Sequence, residues 1–219
     1  MFGLKGLTMR PMKPNQPLRL YRHPISGHAH RVELYLSLLG LPYQLEHVDL
    51  MQGAHKQPAY LAKNVFGQVP VIEDGDVTLA DSNAILVYLG ERYDEAGRFW
   101  PRTAEGKAAV QRWFSIAAGQ LAAGPAAARR QRLLGAKLDY DAAVNTANQL
   151  FKTLESELAK RDYLVGATAT LADVACYAYV ARAPEGDISL EPYPALRAWL
   201  AVRTQAVHQV RPRRCRPAP

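Results

Sequence analysis

Apolar positions in the first part of the chain follow a strand, helix, strand order. Residues 18–21 (LRLY) and 44–50 (QLEHVDL) have the pattern of short strands. Between them, Val32, Tyr35 and Leu39 recur at helical spacing. Two strands joined by a helix form a βαβ unit, in which the strands are parallel and the crossover is right-handed. The pattern therefore predicts a parallel pair of strands.

A β-hairpin and another helix are predicted to follow. Asp74-Gly75 separates two short β-rich runs, VPVIE and VTLA, and this dipeptide is a strong hairpin signal. An apolar series with helical spacing comes next, and Asp81 and Ser82 before it are both good capping residues. These elements complete an α/β domain, which we place at residues 17–92.

The remainder of the chain has helical patterns. Two apolar stripes recur at helical spacing, with Val110, Trp113, Phe114, Ala117 and Leu121 in the first and Val144, Ala147, Phe151, Leu154 and Leu158 in the second. Residues 171–181 (LADVACYAYVA) are apolar on nearly every side, so we expect that helix to be buried all round. Thr170 and Asp173 open it with a capping pattern, and 194–202 predict a further helix.

The predicted fold class is therefore α/β plus all-α. The segment 93–103 lacks periodicity and contains Gly97 and Pro101, so we place the linker there. An all-helical domain is predicted at 104–208.

Basic residues concentrate at the two ends of the chain. The formal net charge is +7, yet four basic residues in the first 19 positions and four arginines at 211–216 are eight of the 27 basic residues. Without these eight, 19 basic residues stand against 20 acidic ones, so the body of the chain is not basic. Residues 1–16 and 209–219 are rich in proline and predict flexible tails. We therefore expect no nucleic-acid partner, although the tails leave contact with anionic polymers open.

Compartment and redox state follow from features that are missing. No apolar run approaches the ~20 residues that cross a bilayer, and the first 17 residues lack the apolar core of a secretory signal. Cys176 and Cys215 are too few for a disulfide framework or a four-thiolate metal site. We expect a cytoplasmic protein with no membrane partner.

Pro70 and the helix start after it carry the first candidate chemistry. A trans proline within a strand-like run would remove a ladder hydrogen bond, so Pro70 indicates either an edge position or a cis bond after Val69. A cis bond would leave the Val69 backbone free to pair outside the sheet. At the helix start, unpaired amides, the Ser82 hydroxyl and the Asp81 carboxylate suit an α-amino acid end group, unless they serve in capping alone.

The loop HPISGHAH, between the first predicted strand and the first predicted helix, carries a second set of candidate functional residues. Ser26 stands where the chain enters the helix, so its hydroxyl can donate to an anion such as a thiolate, or act only as an N-cap. A Ser-His-Asp hydrolase is disfavoured because the Gly-x-Ser-x-Gly elbow is absent. His23, His28 and His30 have no acid or thiol partner at metal-ligand spacing, so we predict no metal site.

Four motifs in this order resemble the cytosolic glutathione transferase family. They are LRLYRHPISGHAHRV, GQVPVIEDG, LADSNAILVYL and YLVGATATLADV, and the resemblance spans residues 18–208. It implies a thioredoxin-like N-terminal domain, an all-helical C-terminal domain and a homodimer with its clefts near the subunit interface. It also implies glutathione as co-substrate without a metal, and attack of its thiolate on a small, hydrophobic electrophile, the chemistry of detoxification.

The resemblance assigns the thiol-activating role to Ser26. This residue looks like the serine that activates the glutathione sulfur in the theta-like and related bacterial branches, and it lies five residues after Tyr21. Tyr21 resembles a packing residue at the strand end more than the activating tyrosine of other branches. Assistance to Ser26 from Tyr21 or from a loop histidine stays open.

The residues that the resemblance assigns to glutathione binding are His55, Gln68, Val69, Pro70, Asp81 and Ser82. Val69 would pair through its backbone with the cysteinyl part, Asp81 and Ser82 would take the γ-glutamyl end, and His55 would contact the glycyl carboxylate. Two positions depart from the family pattern. Gln68 stands where some relatives carry Lys, and Asp81 where many carry Glu or Gln.

The electrophile pocket and the type of reaction are less determined. Trp113 and Phe114 are candidates for the pocket wall, with core packing as the alternative. Other glutathione-dependent chemistry, by an isomerase, dehalogenase or peroxidase, stays open, as does a binding or scaffold protein without catalysis. A thiol reductase is disfavoured because HPISGHAH has no cysteine.

Overall fold

The computed structural model describes residues 13–209, and from residue 202 onward it describes the backbone alone. The N-terminal domain follows the predicted order of elements. They are β1 (Leu18–Arg22), α1 (Gly27–Leu38), β2 (Tyr43–His47), α2 (Pro58–Leu61), β3 (Val71–Asp74), β4 (Val77–Ala80) and α3 (Ser82–Tyr93), with a 3₁₀ turn at Ala54–Lys56. The strand predicted over 44–50 is shorter, and the polar connection after it holds the 3₁₀ turn and α2.

One mixed sheet organises this domain. Its strand order is β2-β1-β3-β4. β1 is parallel to β2 and antiparallel to β3, and β3 is antiparallel to β4, so both the βαβ unit and the hairpin are confirmed. Leu20 of β1 and Ile72 of β3 are fully buried and join Val32 of α1 and Ile85 of α3 in one apolar core. The N-terminal domain is thus thioredoxin-like, as predicted.

The C-terminal domain is helical throughout its described elements. They are α4 (Ala104–Ala118), α5 (Gln120–Ala123), α6 (Pro125–Leu134), α7 (Tyr140–Leu158), α8 (Leu171–Ala181) and α9 (Pro194–Gln209). The sequence pattern suggested one helix for the first apolar stripe, but the structure divides this stripe between two helices. Gly119 leaves the helical region (φ −96°, ψ −94°) and ends α4, so Leu121 belongs to α5.

Helix α8 lies at the centre of the molecule, between α1 and α4. The predicted capping box is present, because Thr170 and Asp173 each bond to the other's backbone. The Asp173 carboxylate also accepts from the backbone N–H of Leu164 at 3.1 Å and from Nε1 of Trp199 at 2.9 Å. This motif therefore joins the start of α8 to α9 and to the preceding loop.

Two close contacts join the domains beside the start of α1. A Cβ on Gly27 would lie 2.6 Å from the Tyr179 ring of α8, so only glycine allows this approach. Arg129 of α6 is buried and donates from Nη1 to the carbonyl oxygen of Ile25 at 2.7 Å. The loop that carries Ser26 is thus held from the helical domain.

Within the described part of the chain, no helix combines the length and the apolar character that a membrane span requires. The tails predicted at 1–16 and 209–219 lie almost wholly outside the described residues, as does Cys215.

Candidate active site

A cavity of about 900 Å³ lies between the two domains. It is lined by every residue predicted to activate or bind glutathione, namely Ser26, His55, Gln68, Val69, Pro70, Asp81 and Ser82. The opposite wall comes from α4, α5 and α6 and includes Ala118, Ala122, Arg129, Arg130, Leu133 and Leu134. The cavity therefore has a polar side on the sheet domain and a largely apolar side on the helical domain.

Ser26 is the N-cap of α1. Its Oγ accepts a hydrogen bond from the backbone N–H of Ala29 at 3.1 Å, and its backbone N–H donates to the carbonyl of His23 at 3.0 Å. A serine hydroxyl has lone pairs and one hydrogen, so accepting this bond leaves the hydrogen free to donate. The first turn of α1 contains no acidic residue, and its exposed amides favour an anion. The arrangement suits stabilisation of a thiolate.

The loop before β3 is anchored from α2 and the residues after it. The Val69–Pro70 bond is cis. The Gln68 carbonyl oxygen accepts from the Tyr60 hydroxyl at 2.9 Å and from Nδ2 of Asn64 at 2.8 Å. Asn64 is buried and also accepts from the backbone N–H of Phe66 at 3.1 Å. These bonds fix the Val69 backbone at the cavity wall.

The start of α3 places an acid and a hydroxyl side by side. Asp81 is the N-cap, and its Oδ1 accepts from the backbone N–H groups of Asn83 at 2.8 Å and Ala84 at 2.9 Å. Its φ of 68° is unusual for a residue with a side chain. Ser82 is buried, and its Oγ lies 3.3 Å from Nδ1 of His28. The capping role is thus realised, and the second carboxylate oxygen of Asp81 is not used by the cap.

A buried arginine of α1 forms hydrogen bonds to the first residues of α3. Arg31 of α1 is fully buried and donates from Nη1 to Oδ1 of Asn83 at 2.8 Å and to Oγ of Ser82 at 3.4 Å. Burial lowers the pKa of Arg31, and it lowers the pKa of His28 to about 4, with the nearby Arg31 charge adding to that shift. His28 is therefore neutral at pH 7 and available as a hydrogen-bonding partner of Ser82.

His55 lies in the 3₁₀ turn on the far side of the loop. Its Nδ1 is buried and has no hydrogen-bond partner among the described residues. Gly67 lets the loop before β3 approach this turn closely. It has φ +57°, and a Cβ there would lie 2.7 Å from the His55 carbonyl oxygen. His55 lies at the cavity wall, so its imidazole is placed to contact a ligand there.

The structure places the two predicted electrophile-pocket residues elsewhere. Trp113 and Phe114 are 7% and 2% exposed, belong to the main core and do not line the cavity, and Phe114 stacks on Trp100. The stripe of α4 that carries them faces inward, so core packing, the alternative considered above, describes both. Short side chains of α4 and α5 and leucines of α6 line the cavity in their place.

Tyr21 is also placed away from the cavity. Its hydroxyl donates to Oε2 of Glu73 at 3.0 Å, and its ring packs against Tyr60 and beneath the Lys63 ammonium. Burial, followed by the Glu73 carboxylate, raises its pKa. This geometry matches the packing role predicted for the end of β1.

Sequence reasoning did not assign several residues that form the cavity. Asn64, Arg129, Arg130 and Tyr179 lie there because the segment after α2 and the helices α6 and α8 border the same cavity. No local motif marks them, although the unpatterned Arg129-Arg130 pair in an Ala-rich helix was a visible signal. His28 was noted only as one of three loop histidines.

Within the part of the chain that the structure describes, neither a cysteine nor a metal cluster forms a second site. Burial raises the pKa of the Cys176 thiol to about 12, so this cysteine stays protonated. Among residues 13–209, no group of three or more His, Cys, Asp or Glu side chains is arranged to hold a metal ion.

A thioredoxin-like domain, a helical domain and a cavity between them that is polar on one side define a class of two-domain enzymes that act on a bound thiol. The protein-family model described as "Glutathione S-transferase, N-terminal domain" matches residues 16–91. The family model described as "Glutathione S-transferase, C-terminal domain" matches residues 113–202. The chain belongs to the glutathione S-transferase family. Its activity is accordingly the transfer of glutathione to an electrophile.

Individual relatives agree with this membership. Glutathione S-transferase 3 of Zea mays is 38% identical over 165 residues, covering 72% of this chain and 74% of that protein. Dichloromethane dehalogenase of Methylophilus leisingeri is 29% identical over 198 residues, covering 84% and 74%. The crystal structure of a glutathione S-transferase from Pseudomonas fluorescens superposes with a TM-score of 0.81 at 30% identity, covering 92% of this chain and 98% of that one.

Proposed function

We propose that Ser26 holds the sulfur of bound glutathione as a thiolate, which then attacks a small apolar electrophile. The observation that carries this proposal is the convergence of Ser26, the cis-Pro70 loop and the start of α3 on one cavity. A free thiol has a pKa of about 8.5, and a hydroxyl donor at the positive end of a helix lowers it. More thiolate at neutral pH means a faster attack.

The tripeptide is proposed to lie along the wall of the sheet domain. The Val69 backbone pairs with the cysteinyl part, as an added strand pairs with a sheet edge. The unused Asp81 oxygen takes the α-ammonium group, and the Ser82 hydroxyl and the amides of α3 take the α-carboxylate. His55 and Gln68, which both line the cavity, bind the glycyl carboxylate.

The test compares three substitutions of Ser26 that separate capping from hydroxyl donation. Ser26→Ala removes both, Ser26→Thr keeps both, and Ser26→Asp keeps a cap acceptor but places a carboxylate beside the sulfur. We expect turnover of a generic electrophile to fall about 100-fold in Ser26→Ala and at least as much in Ser26→Asp. Ser26→Thr should retain most of the activity.

The direct readout is the ionisation of bound glutathione, followed by thiolate absorbance against pH. In the unmodified protein the thiol should ionise below its free value, and in Ser26→Ala near that value. Thermal unfolding of Ser26→Asp should match that of the unmodified protein. Equal thiol ionisation in the unmodified protein and Ser26→Ala would reject the proposed role.

A dehalogenase reaction is the second candidate, because one relative bears that name. The same thiolate would attack a carbon that carries a halogen, the C–S bond would form, and halide would leave with the bonding electron pair. Release of chloride from dichloromethane in the presence of glutathione tests this candidate. Failure to bind immobilised glutathione would instead favour a scaffold protein of the same fold.

We propose further that the chain forms a homodimer through the loop before β3. Val65 and Phe66 on this loop are 79% and 75% exposed, although their side chains are large and apolar. Exposed apolar clusters commonly mark protein interfaces. Sedimentation should give a dimer for the unmodified protein and a monomer for Phe66→Ser. The control Leu138→Ser, which changes an exposed leucine between α6 and α7, should stay dimeric.

A cytoplasmic location and a role in detoxification complete the proposal. Their support is chemical, since the described cysteine is a free thiol and reduced glutathione is the co-substrate. Fractionation of the source cells tests the location.

A further inference from the structure

Helix α6 carries three arginines with different surroundings. Arg129 bonds to the Glu185 carboxylate and to the Ile25 carbonyl. Arg132 pairs with Asp187 at 2.7 Å and lies over the Tyr140 ring. Arg130 has no ion pair or hydrogen bond with any residue of the described range. Of the three arginines, Arg130 is therefore the one whose guanidinium can bind a ligand without first breaking an ion pair.

Arg130 is exposed, and it borders two cavities. It lines the main cavity, and it also lines a second cavity of about 650 Å³. Both cavities also share His28 and Tyr179. Burial lowers the pKa of His28 and the Arg130 charge adds to that shift, whereas burial raises the pKa of Tyr179 and the Arg130 charge opposes it. The guanidinium therefore lies at the boundary of two adjoining spaces, on the same side as the start of α1.

The other charges at the main cavity are already compensated. Lys63 pairs with Glu73, and Arg129 pairs with Glu185. Asp81 is the acid that lines this cavity, and we have assigned it to the opposite end of glutathione. His28 is neutral at pH 7. Arg130 is thus the uncompensated cation on the helical side.

Apolar side chains surround this cation. Leu133 and Leu134, one turn further along α6, are 45% and 42% exposed and line the main cavity. Ala118 and Ala122 form the shared wall, and their short side chains leave room for a ring. An apolar surface with one unpaired guanidinium matches a ligand that has an apolar body and a carboxylate.

We propose that the electrophile site selects apolar electrophiles that carry a carboxylate, and that Arg130 is the specificity-determining residue that binds this group. The proposal rests on the function proposed above. With a chloroaryl carboxylate, the thiolate sulfur would bond to the ring carbon that carries chlorine, and chloride would leave with the bonding electron pair. The carboxylate would remain unchanged on Arg130 and orient the ring.

The experiment compares a chlorodinitrobenzoate with the methyl ester of the same acid. In Arg130→Gln, kcat/KM for the carboxylate should fall about tenfold, mainly through KM, and kcat/KM for the ester should stay within about twofold. Arg130→Glu should reduce the carboxylate reaction further. Arg132→Gln is the matched control, since it removes the same charge from the same helix outside the cavity, and it should leave both reactions unchanged.

A binding measurement makes the test independent of turnover. Dinitrobenzoate, which has no leaving group, should bind the unmodified protein about tenfold more tightly than Arg130→Gln, whereas dinitrobenzamide should bind both equally. Equal losses for charged and neutral ligands, or no loss for either, would overturn the proposal. If turnover requires Ser26 but Arg130→Gln slows the carboxylate and the ester equally, this proposal alone is overturned. If Ser26→Ala keeps full activity while the carboxylate is still preferred over the ester, the proposed function alone is overturned.

Discussion

The Ser26 hydroxyl meets two requirements with different atoms. Its oxygen accepts from the Ala29 N–H and so caps α1, while its hydrogen is free to donate into the cavity. The two interpretations that the sequence left open, N-cap and thiol activator, are therefore compatible. A residue that caps but cannot donate separates them experimentally, which is why Ser26→Asp is informative.

Asp81 presents the same duality with a charge in place of a hydroxyl. Asn at this position keeps the cap acceptor and tolerates φ of 68°, but it removes the charge proposed to bind the glutathione ammonium group. We expect Asp81→Asn to raise KM for glutathione about fivefold to tenfold, with little change in Tm. Steady-state kinetics and thermal unfolding measure the two effects.

Asp81→Ala is the matched comparison. It removes the bonds to Asn83 and Ala84, so it should also destabilise the protein by about 1 kcal/mol. If Asp81→Asn leaves KM unchanged, Asp81 is a cap and does not bind glutathione.

At the scale of elements, the loop between α2 and β3 depends on one buried side chain. Asn64 donates to the Gln68 carbonyl and accepts from the Phe66 N–H, so Asn64→Ala removes both bonds. We expect a loss of about 1–3 kcal/mol in the free energy of unfolding and a higher KM for glutathione, because the Val69 backbone loses its support. Denaturant unfolding and glutathione titration measure these effects.

Tyr60→Phe is the control for this prediction. It removes one donor to the same Gln68 carbonyl and keeps the apolar ring. Its effects on stability and KM should be smaller than those of Asn64→Ala. Equal KM values for both variants and the unmodified protein would show that the loop does not need these bonds to position Val69.

Local patterns were sufficient for most elements. The Asp74-Gly75 hairpin and the helix-spaced Val32 and Tyr35 report directly on β3, β4 and α1, since their signals lie within the elements themselves. The break at Gly119 was missed because a single glycine inside a helical stripe is often tolerated. Apolar spacing alone therefore joined α4 and α5 into one helix.

The candidate site was predictable only on the sheet side. Ser26, Pro70 and Asp81 occupy positions with a local signature, namely a helix start or a proline in a strand-like run. Trp113 and Arg130 do not, because the side of a helix that faces a cavity depends on how distant helices pack. A stripe in the sequence distinguishes inside from outside, but it does not distinguish a core from a cavity wall.

For the whole molecule, the two domains are joined at the loop that carries Ser26. Arg129 holds the Ile25 carbonyl from α6, and the Gly27 contact with Tyr179 seats the same loop on α8. Ser26 lies between these two attachments. The helical domain thus contributes to the geometry of Ser26 as well as to the proposed electrophile site.

Two histidines of α1 in this interface make the stability of the whole protein depend on pH. Burial lowers the pKa of both His28 and His30 from 6.5 to about 4, aided by Arg31 for His28 and by Arg182 for His30. In the unfolded chain these residues bind protons near pH 6.5, whereas in the folded protein they do not until about pH 4. Unfolding therefore takes up protons in this window, and the free energy of unfolding falls as the pH falls through it.

We expect the stabilisation to be complete above pH 6.5 and to decline by on the order of 3 kcal/mol per histidine by about pH 4, with no further loss from these groups below that. Urea unfolding from pH 7.5 to pH 4.5, roughly the span over which the unfolded chain gains these protons, measures it. His30→Gln should reduce the slope between pH 6.5 and pH 4.5 by up to about half, because one of the two histidines whose pKa falls to about 4 is gone. Glu91→Gln is the control, since Lys107 and Trp100 lower the pKa of Glu91 from 4.5, so most of any loss from this carboxylate falls below pH 4.5, outside the measured range. A flat free energy of unfolding across the window would mean that the interface opens enough to hydrate both imidazoles while the rest of the protein stays folded.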